Sequence, residues 1–462
     1  MSGITTSSRG VDVAPLVDAL SEGIVLTDPD SMASYRWDRA NDPEAGTPLV
    51  VVRATCTEDV QTAVRFAAEH GLPVIPRGAG SGLSGGATAI DGSVVISTER
   101  MRAITVDPNT RTAVVEPGLF NVEVKAAAAQ HGLWYPPDPS SFEFCSIGGN
   151  VATNAGGLCC VKYGVTADYV LGLTVVLADG TAVELGGPRL KDVAGLALTK
   201  LFVGSEGTLG IVTRIVLRLI PPQRVPSTLV ATFASLDDAT ATVLDISRVM
   251  RPSMLEFMDR ASINAVEDLT RMGLDRSAAA MLVVQSDEPA GFAAQEIEEV
   301  AQICRRHAAV EVFSTDDPDE GEAFVVARRM AIPAVEQKGA LLLEDVGVPL
   351  PELGALVRGI ERIAEMREVT IAVIAHAGDG NTHPLIVFDP ADEDHARRAQ
   401  VAYGEVMDLA VALGGTITGE HGVGRLKRAW LPGYLGPEVH ALNKRIKDAL
   451  DPQNILNPGA GI

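Results

Sequence analysis

Positive charge and cysteine are scarce in this sequence, long apolar runs are missing, and each shortage removes a class of function. Lys and Arg number 38 against 60 Asp and Glu, a formal net charge of −22. Such a surface repels a polyanionic backbone, so nucleic acid is not an expected partner, and an anionic small molecule needs a local positive site. The five cysteines, Cys56, Cys145, Cys159, Cys160 and Cys304, are odd in number and show no CxxC spacing. Cys159 and Cys160 are adjacent and poorly placed to bridge. The set reads as reduced thiols, which points to a cytoplasmic protein and leaves contact with a membrane surface open. The longest uncharged stretch, residues 144–161, is full of Gly and Asn and would not make a spanning helix. Residues 1–17 lack the charged start and apolar run of a secretory signal.

What is present describes a globular chain: 46% hydrophobic and 21% charged over 462 residues, enough for two or three domains. Residues 1–45 read as a helical, partly polar lead-in. Residues 59–71 have helical apolar spacing, end at His70-Gly71 and precede a strand-like run at 72–76. Residues 120–132 repeat that pattern before an extended run at 133–137. Two apolar runs about Asp179-Gly180 predict a hairpin over 171–186. Residues 210–222 alternate as a half-buried strand does. The stretch 221–226, rich in Pro, interrupts regular structure, and a domain boundary falls there. Beyond it, amphipathic helices such as 291–307 alternate with strands such as 279–286 and 370–376, the pattern of helices packed on an antiparallel sheet. The predicted plan is α+β: lead-in 1–45, first domain 46–224, second domain 225–430, and a tail 431–462.

Glycine is concentrated. The first cluster is Pro76, Arg77, Gly78, Ala79, Gly80, Ser81, Gly82, Leu83, Ser84, Gly85 and Gly86. Such a loop can turn its N–H groups toward one point, as a pyrophosphate requires, although plain turns are also Gly-rich. Leu83 breaks the GxGxxG fingerprint and a strand-like run follows, which disfavours a nicotinamide site. A second cluster, from Ser146 through Gly148, Gly149, Asn150, Ala152, Thr153 and Asn154 to Gly156 and Gly157, follows Pro137-Asp138. Its small residues admit a flat ring, and Asn150, Thr153 and Asn154 offer side-chain hydrogen bonds. A third, from Gly204 through Glu206 to Gly210, opens the strand at Ile211. Three such clusters within about 130 residues argue against coincidental turns.

Histidine is concentrated as well. His376 and His383 flank a Gly-rich turn between two strand-like runs; if these pair, both imidazoles lie near one end of the hairpin on the same side. Glu420-His421 follows Thr418-Gly419. Two His and one Glu suffice for zinc with an open position, and the same donors suit iron or manganese. His70, His131 and His307 close helices, where a donor or cation meets free carbonyls. Nothing marks out His395 or His440.

In the three Gly-rich segments the sequence resembles the FAD-linked oxidases of the vanillyl-alcohol oxidase/p-cresol methylhydroxylase superfamily, over residues 45–460. The resemblance implies a p-cresol methylhydroxylase (PCMH) type FAD-binding domain of two α/β subdomains and a ferredoxin-like α+β cap. It implies that the first loop wraps the FAD pyrophosphate, that the second passes the isoalloxazine, and that the third helps to hold the adenosine end, with Asn457 of the terminal N-P-G returning to that domain. Ser81 stands where some relatives tether the flavin through a His, so FAD is expected to be non-covalent.

His376, His383, Glu420 and His421 match the HAGDGNxH and GEHG motifs of the D-2-hydroxy-acid dehydrogenase branch. That likeness implies a divalent metal, zinc favoured, on the first three, and His421 as base. It also implies that Arg328, rather than Arg329, holds the substrate carboxylate. One departure is Leu343, two residues before Asp345, where the hydroxyglutarate branch has a Lys for a second carboxylate. The expected substrate is therefore a small D-2-hydroxy acid such as D-lactate or glycolate. The electron acceptor (cytochrome, quinone or electron-transfer flavoprotein) and a homodimeric state stay open. The alternatives are an alkyl-glycerone-phosphate synthase, a branch that is His-rich where this chain has Glu420, and a non-catalytic flavoprotein subunit, which would lack the Glu-His pair.

Overall fold

The computed structural model describes residues 10–289 and 291–462. Residues 1–9 of the expected lead-in lie outside the described residues. Among the described residues the chain forms three sheets, and divides into two compact units. Of the described residues, the first comprises 10–155, 165–222 and 420–462, and the second 156–164, 223–289 and 291–419.

The first unit holds two of the sheets. Strands Val50–Arg53, Val94–Ser97 and Val74–Arg77 pair in parallel, with Val25–Leu26 antiparallel at one edge. Val50, Val51 and Val52 are fully buried, as a parallel strand covered on both faces must be, which is why this run shows no alternation. Helix Thr57–His70 joins two of these strands. It carries Glu58 and Asp59 in its first turn and ends at left-handed Gly71, whose N–H meets the carbonyls of Ala67 and Ala68, satisfying donors and acceptors that a helix end would otherwise strand. Ile455 and Leu456 return to this core, and Leu456 bridges to Val74.

The five-stranded sheet is antiparallel, in the order Ile104–Asp107, Thr112–Val115, Ile211–Arg218, Val170–Val176, Ala182–Gly186. The last two strands form the hairpin expected about Asp179-Gly180. Trp134 makes only an isolated bridge to Ile220, because Pro136 and Pro137, which follow, have no N–H to extend a ladder.

The second Gly-rich cluster differs from the loop expected of it: Ile147–Thr153 is a helix. Ser146 caps it by accepting from Gly149 N–H, and Asn154 ends it in the left-handed conformation. The cap and the C-terminal Asn outweigh the low propensity of the two glycines.

In the second unit the strands run Glu311–Thr315, Ser227–Phe233, Ala280–Ser286, Met254–Asp259, Thr370–His376, Asn381–Phe388, Ala340–Leu343, with Val346–Gly347 also on Asn381–Phe388. Its first four strands, with helices Leu236–Val249 and Phe292–Arg306 after the first and third of them in sequence, make a ferredoxin-like βαββαβ core with order 4-1-3-2. The later strands extend this sheet. Met258, Met281, Val283, Ile374 and Leu385 face helices Arg260–Thr270, Pro318–Arg329 and Ala331–Glu336, which contribute Ile263, Ala327 and Ala334. Residues 156–164 join this unit through buried Asp287, which pairs with Lys162 at 2.6 Å and accepts from Tyr163 and Gln223. Among the described residues no helix is long and apolar enough to cross a membrane, and no disulfide joins the cysteines.

The packing of helix Ile147–Thr153 can be tested. A Cβ on Gly148 would stand 2.6 Å from Pro117 Cβ and 3.0 Å from Pro117 O, whereas one on Gly149 would meet only Ser146 Oγ at 3.3 Å. Gly148→Ala is expected to cost about 1–3 kcal/mol in urea unfolding through overpacking. Gly149→Ala should stay within about 1 kcal/mol of wild type, since gained helix propensity offsets the milder contact. Equal effects would contradict the close approach.

Candidate active site

In the second unit the hairpin register decides where the histidines point. Ile374 stands opposite His383 and His376 opposite Asn381, so alternation puts both imidazoles on one face, diagonal to each other. Their ring centroids are 5.1 Å apart. The adjacent strand sets Glu256 directly opposite His376, with Glu256 Oε1 at 2.8 Å from His376 Nδ1. With the carboxylate oxygen as acceptor, Nδ1 is the donor of this contact, and Nε2 faces other partners. Arg328, near the end of helix Pro318–Arg329, takes the other oxygen, with Nη2 at 2.7 Å from Oε2 and both side chains 1% exposed. That helix starts where it does because Asp317 accepts from the N–H groups of Asp319 and Glu320, with Pro318 in its first turn.

A second buried carboxylate, Asp345, organises the end of the hairpin. Its Oδ1 accepts from Asn381 Nδ2 at 3.0 Å and lies 3.7 Å from His383 Nδ1. Its Oδ2 accepts from Thr418 Oγ1 at 2.6 Å and from Gly419 N–H at 2.9 Å. A Cβ on Gly419 would sit 2.2 Å from Asn381 Oδ1, so this approach needs glycine. Glu420 is the next residue, its Cα about 3.8 Å further along a trans peptide. It opens the last segment of the first unit, where its Oε1 lies 3.9 Å from His421 Nε2.

In the sequence Asp345 stands out only as a landmark for Leu343, and Glu256 does not stand out at all. The available signal for Glu256 was a carboxylate set between the apolar residues Leu255 and Phe257. Two other histidines have partners of their own: His70 Nδ1 lies 2.8 Å from Phe66 O, and His307 Nε2 lies 2.8 Å from Asp245 Oδ2 on another helix.

The Gly-rich segments of the first unit are tied together by a few side chains. Asn457 Nδ2 donates to Gly86 O and Glu206 O, each at 2.8 Å. Ser84 Oγ donates to Gly422 O at 2.8 Å. Glu206 accepts from Val423 N–H at 2.9 Å and Gly424 N–H at 2.7 Å, so its carboxylate holds the segment that carries His421. Ser146 Oγ accepts from Ala79 N–H at 3.1 Å, joining the first cluster to the helix of the second. Among the described residues, the N–H groups of Gly80, Ser81, Gly82 and Leu83 donate to no other group of the chain. Partly buried N–H groups in a Gly-rich loop demand an acceptor, and a diphosphate supplies one.

Several of the expected residues also have partners within the chain. Asn150 exchanges hydrogen bonds with Asn121 and Cys145, Thr153 Oγ1 donates to Gly149 O, and Asn154 Oδ1 accepts from Ala167 N–H. These side chains brace the helix. Arg77 donates to Trp37 O at 2.7 Å. Pro137 O accepts from Asn121, and Asp138 is buried. Gly156 and Gly157 belong to the second unit, while Gly210 leads directly into strand Ile211–Arg218.

Comparison with known proteins gives the family. Residues 48–186 match the FAD binding domain model and residues 222–460 match the model for the C-terminal domain of FAD linked oxidases. The chain belongs to the FAD linked oxidases. Within that family it is 41% identical to the glycolate oxidase subunit GlcD of Bacillus subtilis, over 92% of this chain and 91% of that protein. It is 34% identical to a D-lactate dehydrogenase of Archaeoglobus fulgidus, over 96% of this chain and 98% of that one. This FAD linked oxidase shares its fold with p-cresol methylhydroxylase, at a TM-score of 0.80 and 18% identity, covering 96% of this chain and 95% of that one. It also shares it with an alkyldihydroxyacetonephosphate synthase, at a TM-score of 0.74 and 20% identity, covering 96% and 84%.

Burial pushes the Glu206 carboxyl up to about 7, against the pull of the two N–H donors. Its unfolded value is about 4.3. Between these values the folded state keeps a proton that the unfolded chain has released, so this contribution to stability is lost as pH rises from about 4.3 through 7. In urea unfolding, wild type measured against Glu206→Gln should compare more favourably at about pH 5 than at about pH 8; the same difference at both would contradict the shift.

Proposed function

We propose that this FAD linked oxidase oxidises a small D-2-hydroxy acid, D-lactate or glycolate, to the 2-oxo acid and passes the electrons to a separate acceptor. The reading rests on one observation: two buried imidazoles share a sheet face, and the segment leading into Glu420 is anchored on the carboxylate beside one of them. Bound non-covalently, FAD would accept the hydride at N5, and a divalent metal, zinc favoured over iron or manganese, would acidify the substrate hydroxyl.

His376 and His383 would offer imidazole nitrogens, and Glu420 the carboxylate that completes a three-ligand set with an open position. His421, next in sequence, is the base that takes the hydroxyl proton; an unassisted alcohol is too weak an acid to lose it near neutral pH. Arg328 holds the substrate carboxylate. Leu343 packs against the apolar core and offers no cation for a second carboxylate, which favours a monocarboxylate. The relatives named for glycolate and D-lactate point the same way. Ser81 offers no nitrogen for a covalent flavin link.

Anaerobic mixing with D-lactate or glycolate should bleach the flavin absorbance, and prior stripping with a chelator should prevent it until zinc is restored. His421→Ala should slow bleaching by about 10²–10⁴-fold at unchanged flavin content. A flavin that stays oxidised with every D-2-hydroxy acid would sink the reading, and faster turnover of D-2-hydroxyglutarate than of D-lactate would overturn the monocarboxylate preference. Acid precipitation should leave the yellow colour in the supernatant.

A further inference from the structure

We infer that Glu256 is a positioning residue that sets two members of this site at once, orienting His376 for a metal and Arg328 for a substrate carboxylate. The inference rests on the metal-dependent reading above. The two carboxylate oxygens serve different partners, since Oε1 lies 2.8 Å from His376 Nδ1 and Oε2 lies 2.7 Å from Arg328 Nη2. The sheet register puts Glu256 and His376 directly opposite each other, so the first contact is set by the backbone ladder and not by a flexible reach. With Nδ1–H directed at the carboxylate, Nε2 would be the atom that holds the metal, and the ring cannot turn without losing a charge-assisted hydrogen bond.

The location argues against a purely stabilising role. Glu256 stands between Leu255 and Phe257 in a strand whose residues 254–258 are all buried. A buried ion pair there is often no better for stability than apolar residues of similar volume. What an apolar pair cannot do is hold one imidazole tautomer and aim a guanidinium fork. Glu256 need not touch substrate or metal; it acts through the two residues that do.

The test is zinc content, measured on the flavin-loaded protein after dialysis against a series of buffered free-zinc concentrations. Glu256→Gln should raise the zinc dissociation constant by about 10–100-fold, the range for loss of a carboxylate behind a ligating His. Because that change leaves Arg328 buried without its counter-charge, Glu256→Gln/Arg328→Met is measured alongside it. This double variant should melt near the wild-type temperature and still bind zinc about 10–100-fold more weakly. Cobalt substitution adds a second readout: the visible bands should shift in the variants as the His376 ligand reorients. An unchanged zinc affinity in either folded variant would overturn the positioning role, as would a double variant that fails to fold, which would mark Glu256 as structural. Wild type that takes up no zinc would sink the underlying metal reading, an outcome distinct from wild type that binds zinc as its variants do.

Discussion

The pairing of Ile374 with His383 and of His376 with Asn381 is the constraint on which the candidate site depends. Side chains alternate along a strand, so a slip of one residue in that ladder would turn one imidazole to the far face. The core forbids the slip. Ile374 and Leu385 share their face with Met258, Met281 and Val283 and pack under three helices, so moving either strand by one residue would also exchange its buried apolar set. The same hydrophobic pattern that folds the second unit thereby sets the direction of its chemistry-bearing residues.

Two carboxylates inside this apolar setting carry a cost that their partners offset. Glu256 and Asp345 are 1% and 0% exposed, and an ionised group so buried is tolerated only with charged or hydrogen-bonding partners. Glu256 has a guanidinium and an imidazole, and Asp345 has an amide, a hydroxyl and a backbone N–H. Removing one partner from a buried ion pair typically costs about 3–5 kcal/mol. The geometry is therefore stiff: each partner is held where the carboxylate needs it.

Elements with strong periodicity were legible in the sequence. The helix at 57–70, the hairpin about Asp179-Gly180 and the strands on either side of the HAGDG turn lie where apolar spacing and turn chemistry put them. The helix at 147–153 was not legible, because Gly148 and Gly149 argue for a loop, and the close approach of Gly148 to Pro117 is a tertiary contact. Sequence position puts residues 156–164 in the first domain, but the pairing of Lys162 and Tyr163 with Asp287, more than 100 positions later, is a long-range fact that no local pattern encodes. Site residues named by type, such as His376 and His383, could be found. Those that act through others, such as Glu256, could not, since a carboxylate in a strand shows its role only when its neighbours across the ladder are known.

The segment from Thr418 to Gly424 shows how a loop can be as well defined as a strand. Thr418 and Gly419 are held by Asp345 in the second unit, and Val423 and Gly424 are held by Glu206 in the first. Between these anchors only Glu420, His421 and Gly422 remain, and Ser84 Oγ donates to the Gly422 carbonyl. Loops ordinarily gain function at the expense of order, because each unfixed residue keeps about 1–2 kcal/mol of backbone conformational entropy. Here four of seven residues are held by carboxylates and a fifth by a serine.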